Sequence, residues 1–184
     1  MRFYVQNLEL AMDRRSLLLG LAFAPAFAAP AFAKPAAKAT TPKAIVEKIY
    51  AYALKEKGTK GMPFKFDSKK SLDAEFSSAM AAIWKKQAPL ADKAGQPLID
   101  FDIVANSQDP HIKNVKITVE KEDATSAIVA ASFEASGGEN EPSTPDVVRY
   151  DFVKENGMWK IDDVRGKVEN DPWSFKAILS APVQ

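Results

Sequence analysis

The stretch VVRYDFVKENGMWKI, residues 147–161, decides the fold. Apolar and polar side chains alternate from Val147 to Val153, which is the pattern of a strand that is buried on one face. The pair Asn156-Gly157 follows, and it strongly favours a two-residue hairpin turn because both residues tolerate a positive φ. Apolar residues return at Trp159 and Ile161. The stretch therefore predicts an antiparallel β-hairpin with one apolar face.

Two further strands are predicted upstream of this hairpin. Apolar residues from Val115 to Val119 alternate with polar ones, so we expect this strand to be half-buried. The segment from Ala127 to Phe133 is apolar at almost every position, so we expect this strand to be covered on both faces or to line an interior. From Ser136 to Pro145 the chain is rich in Gly, Pro and acidic residues, which predicts a polar hairpin tip within one meander.

Two helices are predicted ahead of the strands. Thr41 caps the first helix, which begins at Pro42 and stops at Gly58, a residue suited to the left-handed conformation that ends a helix. The second helix begins near Ser68 and ends at Pro89, because proline breaks a helix interior. The apolar face of the second helix consists of Leu72, Phe76, Met80, Ile83 and Trp84.

The order of these elements predicts a single α+β domain over residues 42–184. Two N-terminal helices pack on a curved antiparallel sheet of about four long strands, and a short helix from Pro172 to Leu179 closes the domain. We expect Trp159 to be a buried core residue. The side chains expected to cover it are Ile49, Phe76 and Trp84.

Residues 1–33 have the pattern of a secretory signal peptide. Arg14 and Arg15 precede an apolar run that is too short to span a bilayer, and small residues lead to a cleavage site at Ala33. The paired arginines fit the twin-arginine export route as well as the general Sec route. The sequence therefore predicts a bacterial protein that is periplasmic or secreted after removal of the signal.

The start of the signal and the residues that follow it give two further predictions. Met12 begins a more regular signal than Met1 does, so either methionine fits as the true start. Residues 34–41 are rich in Ala, Pro, Lys and Thr without periodicity, which predicts a spacer ahead of the domain.

Composition excludes several classes of protein. The chain has 25 basic and 24 acidic residues, and removal of residues 1–33 takes away three of the former and two of the latter, which leaves 22 of each. A neutral chain without a basic stripe is not expected to bind nucleic acid or anionic lipid. The chain has no cysteine, so disulfides and a lipoprotein anchor are excluded. After Ala33 no apolar run is long enough for membrane insertion.

Three segments carry a resemblance to a known family. They are Tyr50-Ala51-Tyr52 in the first helix, the acidic segment from Asp100 to Asp109, and the late segment from Tyr150 to Val164. In these segments the chain resembles the exported bacterial proteins of domain of unknown function family 3828, over Lys43 to Leu179. The resemblance implies a nuclear-transport-factor-2-like or cystatin-like cone fold and an exported protein. It implies no particular chemistry, because the family has no settled biochemical activity.

A polar group between the second helix and the first long strand is the candidate ligand site. Its members are Asp100, Asp102, Asn106, Gln108, Asp109 and His111. If the group lines the mouth of a cone, Asp102 and Asp109 face a cavity that is also walled by Tyr50 and Trp84. The alternative is that these side chains cap turns and satisfy backbone donors, as Asp and Asn commonly do in connecting segments.

No metal or cofactor is predicted. The start of the polar group, Asp100-x-Asp102, begins like a calcium loop, but Val104, Ala105 and His111 occupy later positions that require an oxygen ligand, Gly and Glu. A zinc site needs several His or Cys ligands, and the chain has one His and no Cys. Phosphate-binding loops, nucleophile elbows and dinucleotide fingerprints are also lacking.

Three classes of function remain open from the sequence. The first is a non-catalytic binding or accessory module of the cell envelope, whose partner is an unknown small molecule or envelope protein. The second is a small cone-fold enzyme of the isomerase, dehydratase or hydrolase type, with Asp102 or Asp109 as base and Tyr50 or Tyr52 as hydrogen-bond donor. The third is an inhibitor or immunity-type protein that presents the tip from Ser136 to Pro145 to a partner.

Overall fold

The structure is a computed structural model that describes residues 40–56, 64, 69–108, 111–136 and 142–182. The predicted signal and most of the spacer lie outside the described residues, as do Gly58 and Asp109. In chain order the elements are α1 (Pro42–Glu56), α2 (Lys69–Glu75), α3 (Ser78–Ala94), β1 (His111–Glu122), β2 (Ser126–Ser136), β3 (Thr144–Glu155), β4 (Met158–Val168), β5 (Asp171–Ser174) and α4 (Phe175–Ser180).

The five strands form one antiparallel sheet in the order β1-β2-β3-β4-β5, so the prediction of an α+β fold is confirmed. The four long strands were expected, and β5 is an additional short strand at the edge. The predicted hairpin turn joins β3 to β4, where Asn156 has φ 51° and Gly157 has φ 78°. These are the positive values that a type I′ turn requires.

Three irregularities in the strand pairing bend the sheet. Register shifts lie between Lys113 and Lys116 and between Val119 and Lys121 in β1. A third lies in the pairing of β3 with β4, between Asp151 and Phe152. Each inserts an extra residue into one strand, which kinks that strand and increases its local twist.

The core lies between one face of the sheet and the helices. Helix α1 packs against β1 and β2, while α4 packs against β4 and α3. Val148, Tyr150 and Phe152, at alternate positions of β3, are buried here, as the alternation in the sequence predicted. The largest fully buried side chains are Tyr50, Tyr150, Phe152, Phe175, Met80, Ile103, Ile161, Leu179, Val46, Val104, Val129 and Val148. Within the described residues, no helix combines the length and apolar character needed to cross a membrane.

Helix α2 begins at Lys69, close to the predicted start near Ser68, but the prediction of one continuous second helix was wrong, because the chain leaves helical geometry at Phe76. Phe76 forms a β-bridge with Ile161, and the Ser77 backbone N–H donates to the Ile161 carbonyl oxygen at 2.8 Å. Ser77 then caps α3 by accepting the Met80 N–H at 3.1 Å. Pairing with the open edge of β4 replaces helical hydrogen bonds at this point, so one apolar stripe is divided between two helices.

Pro89 does not end the helix, contrary to the prediction. Helix α3 continues through Pro89 to Ala94, and Gly95 ends it in the left-handed conformation with φ 67°. The Gly95 and Gln96 N–H groups donate to the last carbonyls of the helix, which is the usual glycine stop. Ala91 is buried beyond the proline, so packing of the last turn offsets the hydrogen bond that Pro89 cannot make.

Two further predictions, on the start of the closing helix and on the burial of Trp159, differ from the structure. The closing helix begins at Phe175, because Pro172 belongs to β5, where it pairs with Lys167 of β4. Trp159 is half-buried, whereas the sequence predicted a buried core position. Its neighbour on the same side of β4, Ile161, is fully buried.

Candidate functional site

The predicted polar group begins with a turn that Asp102 closes. The Asp102 carboxylate accepts the Val104 N–H at 2.7 Å and the Ala105 N–H at 3.4 Å, and the Asp102 N–H donates to the Ser107 carbonyl oxygen at 2.9 Å. These bonds fold the segment into a compact loop whose apolar residues, Ile103, Val104 and Ala105, point into the core and are buried. The carboxylate thus performs the turn-capping role that Asp often has in connecting segments.

Tyr50 binds this loop from the side of α1. Its hydroxyl is buried and donates to the Val104 carbonyl oxygen at 2.7 Å. The Tyr150 ring meets Tyr50 edge to face at 6.2 Å, and among the described residues the Tyr150 hydroxyl has no hydrogen-bond partner. Burial raises the pKa of both tyrosines, so both are neutral hydrogen-bonding groups at physiological pH. Tyr50 therefore helps to hold this loop against α1.

Burial also raises the pKa of Asp102, although its hydrogen bonds from the Val104 and Ala105 N–H groups lower it. The carboxylate is partly removed from water and has no cation paired with it in the described part of the chain. Desolvation is therefore the dominant effect on its ionisation.

Asn106 ties the same loop to the far end of the sheet. Its side-chain amide donates to the Asp146 carboxylate at 2.8 Å and to the Lys167 carbonyl oxygen at 2.7 Å, and its Oδ1 accepts the Trp173 indole N–H at 2.7 Å. Asn106 itself has φ 53°, a left-handed conformation that Asn tolerates better than most residues. All of its amide groups are used within the protein, so it has a structural role.

The other members of the predicted site do not join this loop. Asp100, Gln108 and His111 are exposed, and Asp109 lies outside the described residues. Trp84 packs near Phe175, with their ring centroids 6.3 Å apart, and lines a groove along α2 and α3. The structure thus brings Tyr50, Asp102 and Asn106 together in one loop cluster and places Trp84 elsewhere.

Two adjacent carboxylates on β4, Asp162 and Asp163, hold the N-termini of two helices. Asp162 accepts the Ser77 hydroxyl at 2.7 Å at the start of α3 and pairs with Lys176 at 2.8 Å. Asp163 accepts the Ser174 hydroxyl at 2.6 Å and the Lys176 N–H at 2.9 Å at the start of α4. Carboxylates are favourable at helix N-termini, where backbone N–H groups lack partners.

A cleft of about 270 Å³ lies between α1, α2 and the start of β4. Ile45 and Ile49 form its wall on α1, and Ile161 forms its floor on β4. Three aromatic side chains, those of Tyr52, Phe64 and Trp159, complete the apolar lining. The volume is close to the lower end of the range for small-molecule sites, which are typically apolar with a few polar groups.

Glu75, the last residue of α2, is the main polar group of this cleft. Its side chain is half-buried and forms no hydrogen bond or ion pair with any described residue. Burial raises the pKa of Glu75, although the positive charges of Lys48 and Lys160 lower it. A partly desolvated carboxylate without a partner is costly in a structural role, which is why it marks the cleft as a candidate site.

Within the described residues, neither of the two lysines near Glu75 forms an ion pair with its carboxylate. Lys160 is buried, and its Nζ donates to the carbonyl oxygens of Asp73 at 2.7 Å and Ala74 at 2.6 Å, at the C-terminal end of α2. Lys48 lines the cleft from α1 with an exposed side chain. The cleft therefore has a carboxylate inside and an ammonium group at the rim.

Sequence reasoning missed Glu75, although a signal was present. In the heptad-like stripe of the second predicted helix, Glu75 falls three residues after Leu72 and directly before Phe76, which places a carboxylate on the apolar face. A charged residue within an apolar stripe indicates a partly buried charge. Tyr52 was named only as a hydrogen-bond donor for an enzyme, and Trp159 only as a core residue.

Within the described residues, no cluster of three or more His, Cys, Asp or Glu side chains is placed to hold a metal ion. The chain matches no protein-family model and no curated protein. Among solved structures, the crystal structure of the intermembrane space region of the chloroplast protein ARC6 is similar, with 20% identity and a TM-score of 0.34. The match covers 73% of this chain and 100% of that chain. A similarity at this level carries no argument about fold or function.

Proposed function

We propose that the protein is an exported binding module of the bacterial cell envelope that holds a small amphipathic molecule in the Glu75 cleft. The observation that carries the proposal is the combination of an apolar, aromatic-lined cleft of about 270 Å³ with one half-buried carboxylate that has no partner among the described residues. Export is supported by the signal pattern of residues 1–33. The resemblance to family 3828 supports a nuclear-transport-factor-2-like cone as the scaffold.

The cleft suits binding because most of its walls belong to three regular elements, although Thr40 and Phe64 lie outside helices and strands. Ile45 and Ile49 come from α1, Glu75 from α2, and Trp159 and Ile161 from β4. Side chains on helices and strands are held more precisely than those on loops, so the cleft is largely formed before the ligand arrives. Its polar groups are few, which fits recognition of a molecule that is mostly apolar.

A small enzyme remains the second candidate, and Glu75 is the group that favours it. The Glu75 carboxyl has a raised pKa and lies in an apolar cleft, which are properties of a general acid. The Tyr52 side chain lines the same cleft. Asp102 and Tyr50, two of the four residues named from the sequence for an enzyme, both form hydrogen bonds with the loop backbone at Val104. Recovery of a bound ligand unchanged after long incubation favours the binding module, and its conversion favours the enzyme.

The test is a fragment screen read by intrinsic fluorescence and thermal unfolding. The chain has three tryptophans, and of these only Trp159 lines the cleft. We expect cleft-binding fragments to raise the unfolding temperature and to change the fluorescence of the wild type. The fluorescence change should persist in Trp84→Phe and disappear in Trp159→Phe. If every fragment that binds gives the same change in Trp159→Phe, or none binds, the cleft is not the site.

A further inference from the structure

We infer that the ligand of the Glu75 cleft is an organic cation, an amine or ammonium group on a compact apolar body. The inference rests on the proposed function and names the ligand class of the same site. Its first support is the Glu75 carboxylate, which is half-buried in an apolar lining and has neither a hydrogen bond nor an ion pair in the described chain. A ligand ammonium group supplies both the charge and the hydrogen-bond donors that this carboxylate lacks.

The second support is the aromatic lining. Tyr52, Phe64 and Trp159 all face the same cleft, and the faces of aromatic rings attract cations through their quadrupole. The Trp159 ring already attracts one cation, because the Lys154 ammonium lies 5.1 Å from its centroid. Aromatic side chains combined with a carboxylate are a common arrangement for recognising substituted amines.

The Glu75 carboxylate is available to a ligand cation, whereas the positive charges near the cleft are engaged elsewhere or lie at the exposed rim. Lys160 uses its ammonium group on the carbonyl oxygens of Asp73 and Ala74, so it is not available to a ligand anion. Lys48 is exposed and lies at the rim, where solvent screens its charge. An anion deep in the cleft would face the Glu75 carboxylate in a partly desolvated space, which is strongly unfavourable.

The size of the cleft limits the apolar body to about one ring. A volume of about 270 Å³ is just below the usual range for drug-sized ligands, so a single aromatic or aliphatic ring with a short amine arm fits the space. The walls formed by Ile49 and Ile161 would cover the ring, and Glu75 would hold the amine.

Three probes of similar size and different charge test the inference. Benzylamine is a cation at neutral pH, benzyl alcohol is neutral and benzoate is an anion. We expect isothermal titration of the purified protein to show benzylamine binding about tenfold more tightly than benzyl alcohol. Benzoate should be the weakest of the three. Tightest binding of benzoate would overturn the inference.

Matched variants test which charged residue determines benzylamine binding. Glu75→Gln should reduce benzylamine binding to the level of benzyl alcohol, whereas Glu47→Gln, an exposed acid on α1, should leave it unchanged. Lys48→Gln should strengthen benzylamine binding about twofold or more, because it removes a like charge from the rim. Unaltered benzylamine binding in Glu75→Gln, or weaker benzylamine binding in Lys48→Gln, would contradict the assignment.

The outcomes separate this inference from the proposed function. If neutral fragments bind the cleft and report through Trp159 while benzylamine gains nothing over benzyl alcohol, the cation inference fails and the binding module stands. If no fragment of any charge reports through Trp159, the proposed function itself fails. Unfolding curves of each variant confirm that a loss of binding is measured on folded protein.

Discussion

Single polar side chains in this protein connect distant parts of the chain. Asn106 alone joins the loop before β1 to β3 through Asp146, to β4 through Lys167 and to β5 through Trp173. Such a side chain is worth more than one hydrogen bond, because its removal leaves several partly buried partners without theirs. At the residue scale, Asn106 therefore has a structural role, which is to connect the loop before β1 to three strands.

Asp102 gives a prediction with a pH dependence. Its carboxyl has a raised pKa in the folded protein, so the folded state binds that proton more tightly than the unfolded chain. Stability then falls as pH rises from the unfolded value, about 3.9, through the folded one, and ionised Asp102 costs stability at neutral pH. Asp102→Asn keeps an acceptor for Val104 and removes the ionisation.

We therefore expect Asp102→Asn to gain stability relative to the wild type as the pH increases from about 3.5 to 7. Asp102→Ala, which also removes the acceptor, should lower the free energy of unfolding by about 1 kcal/mol. Urea unfolding of all three proteins at both pH values checks this. An Asp102→Asn variant whose difference from wild type is independent of pH would contradict the role of desolvation.

Gly166 gives a second prediction at this scale. A methyl group added there would lie 2.6 Å from Cζ2 of Trp173. The Trp173 ring cannot easily move, because Asn106 holds its N–H and Phe101 packs edge to face at 5.1 Å. Gly166→Ala should therefore lower the free energy of unfolding by about 1–3 kcal/mol.

The control is Gly166→Ala made in a variant that lacks the Trp173 ring. The three atoms nearest to the added methyl group all belong to the Trp173 ring, so Gly166→Ala should cost much less in a Trp173→Ala background, and a double-mutant cycle gives the coupling. Equal costs in both backgrounds would show that the ring is not what requires glycine.

At the element scale, β4 organises the helices. Ser77 and Asp162 join its first half to the start of α3, and Asp163 joins its centre to the start of α4. The bulge at this part of the β3–β4 pairing allows two successive acidic residues to serve different helices. Strand β4 also supplies Trp159 and Ile161 to the cleft, so the same strand sets the scaffold and the candidate site.

Pro89 gives the prediction at this scale. It lies inside α3 on an exposed position, and it cannot donate the hydrogen bond that other residues make to the carbonyl four positions earlier. Pro89→Ala should raise the free energy of unfolding by about 1–3 kcal/mol, less than the full helix-propensity difference because proline also restricts the unfolded chain. Denaturant unfolding with an unchanged m-value checks it. A loss of stability would show that packing of the Pro89 ring beside Trp84 is worth more than the missing hydrogen bond.

At the scale of the whole molecule, the two faces of the sheet have different roles. One face carries the core, and the other carries ion pairs that cross strands, with Arg149 at 2.9 Å from Glu120 and Arg165 bonded to Asp151. Each of these two pairs joins opposite charges on neighbouring parts of the sheet. Cross-strand pairs of this kind add modest stability.

Export gives the prediction at this scale, as a proposal from residues 1–33. Protein recovered from the periplasm should begin at Lys34, or else at Ala29 after the similar Ala26-Phe27-Ala28 step. Intact-mass measurement checks the start, and a chain that keeps its apolar run after export would contradict it. Arg14→Lys combined with Arg15→Lys should abolish export by the twin-arginine route and hardly change export by Sec.

The local signals in the sequence were enough to predict the α+β class, the cap at Thr41 and the turn at Asn156-Gly157. Each depends on neighbouring residues: an N-cap oxygen, a pair that tolerates positive φ, and alternation along one strand. These features are correct in the structure because nothing elsewhere in the fold opposes them.

Only the tertiary structure decided the break at Phe76, the continuation through Pro89 and the position of the cleft. The break depends on a β4 edge that is 85 residues away in sequence, and Glu75 becomes a cleft residue only because that edge ends α2 beside α1. The polar segment near Asp102 looked like a site because its side chains can bind ligands, yet its own backbone uses them. Long-range pairing and the need to satisfy buried backbone groups, neither of which is visible locally, made these choices.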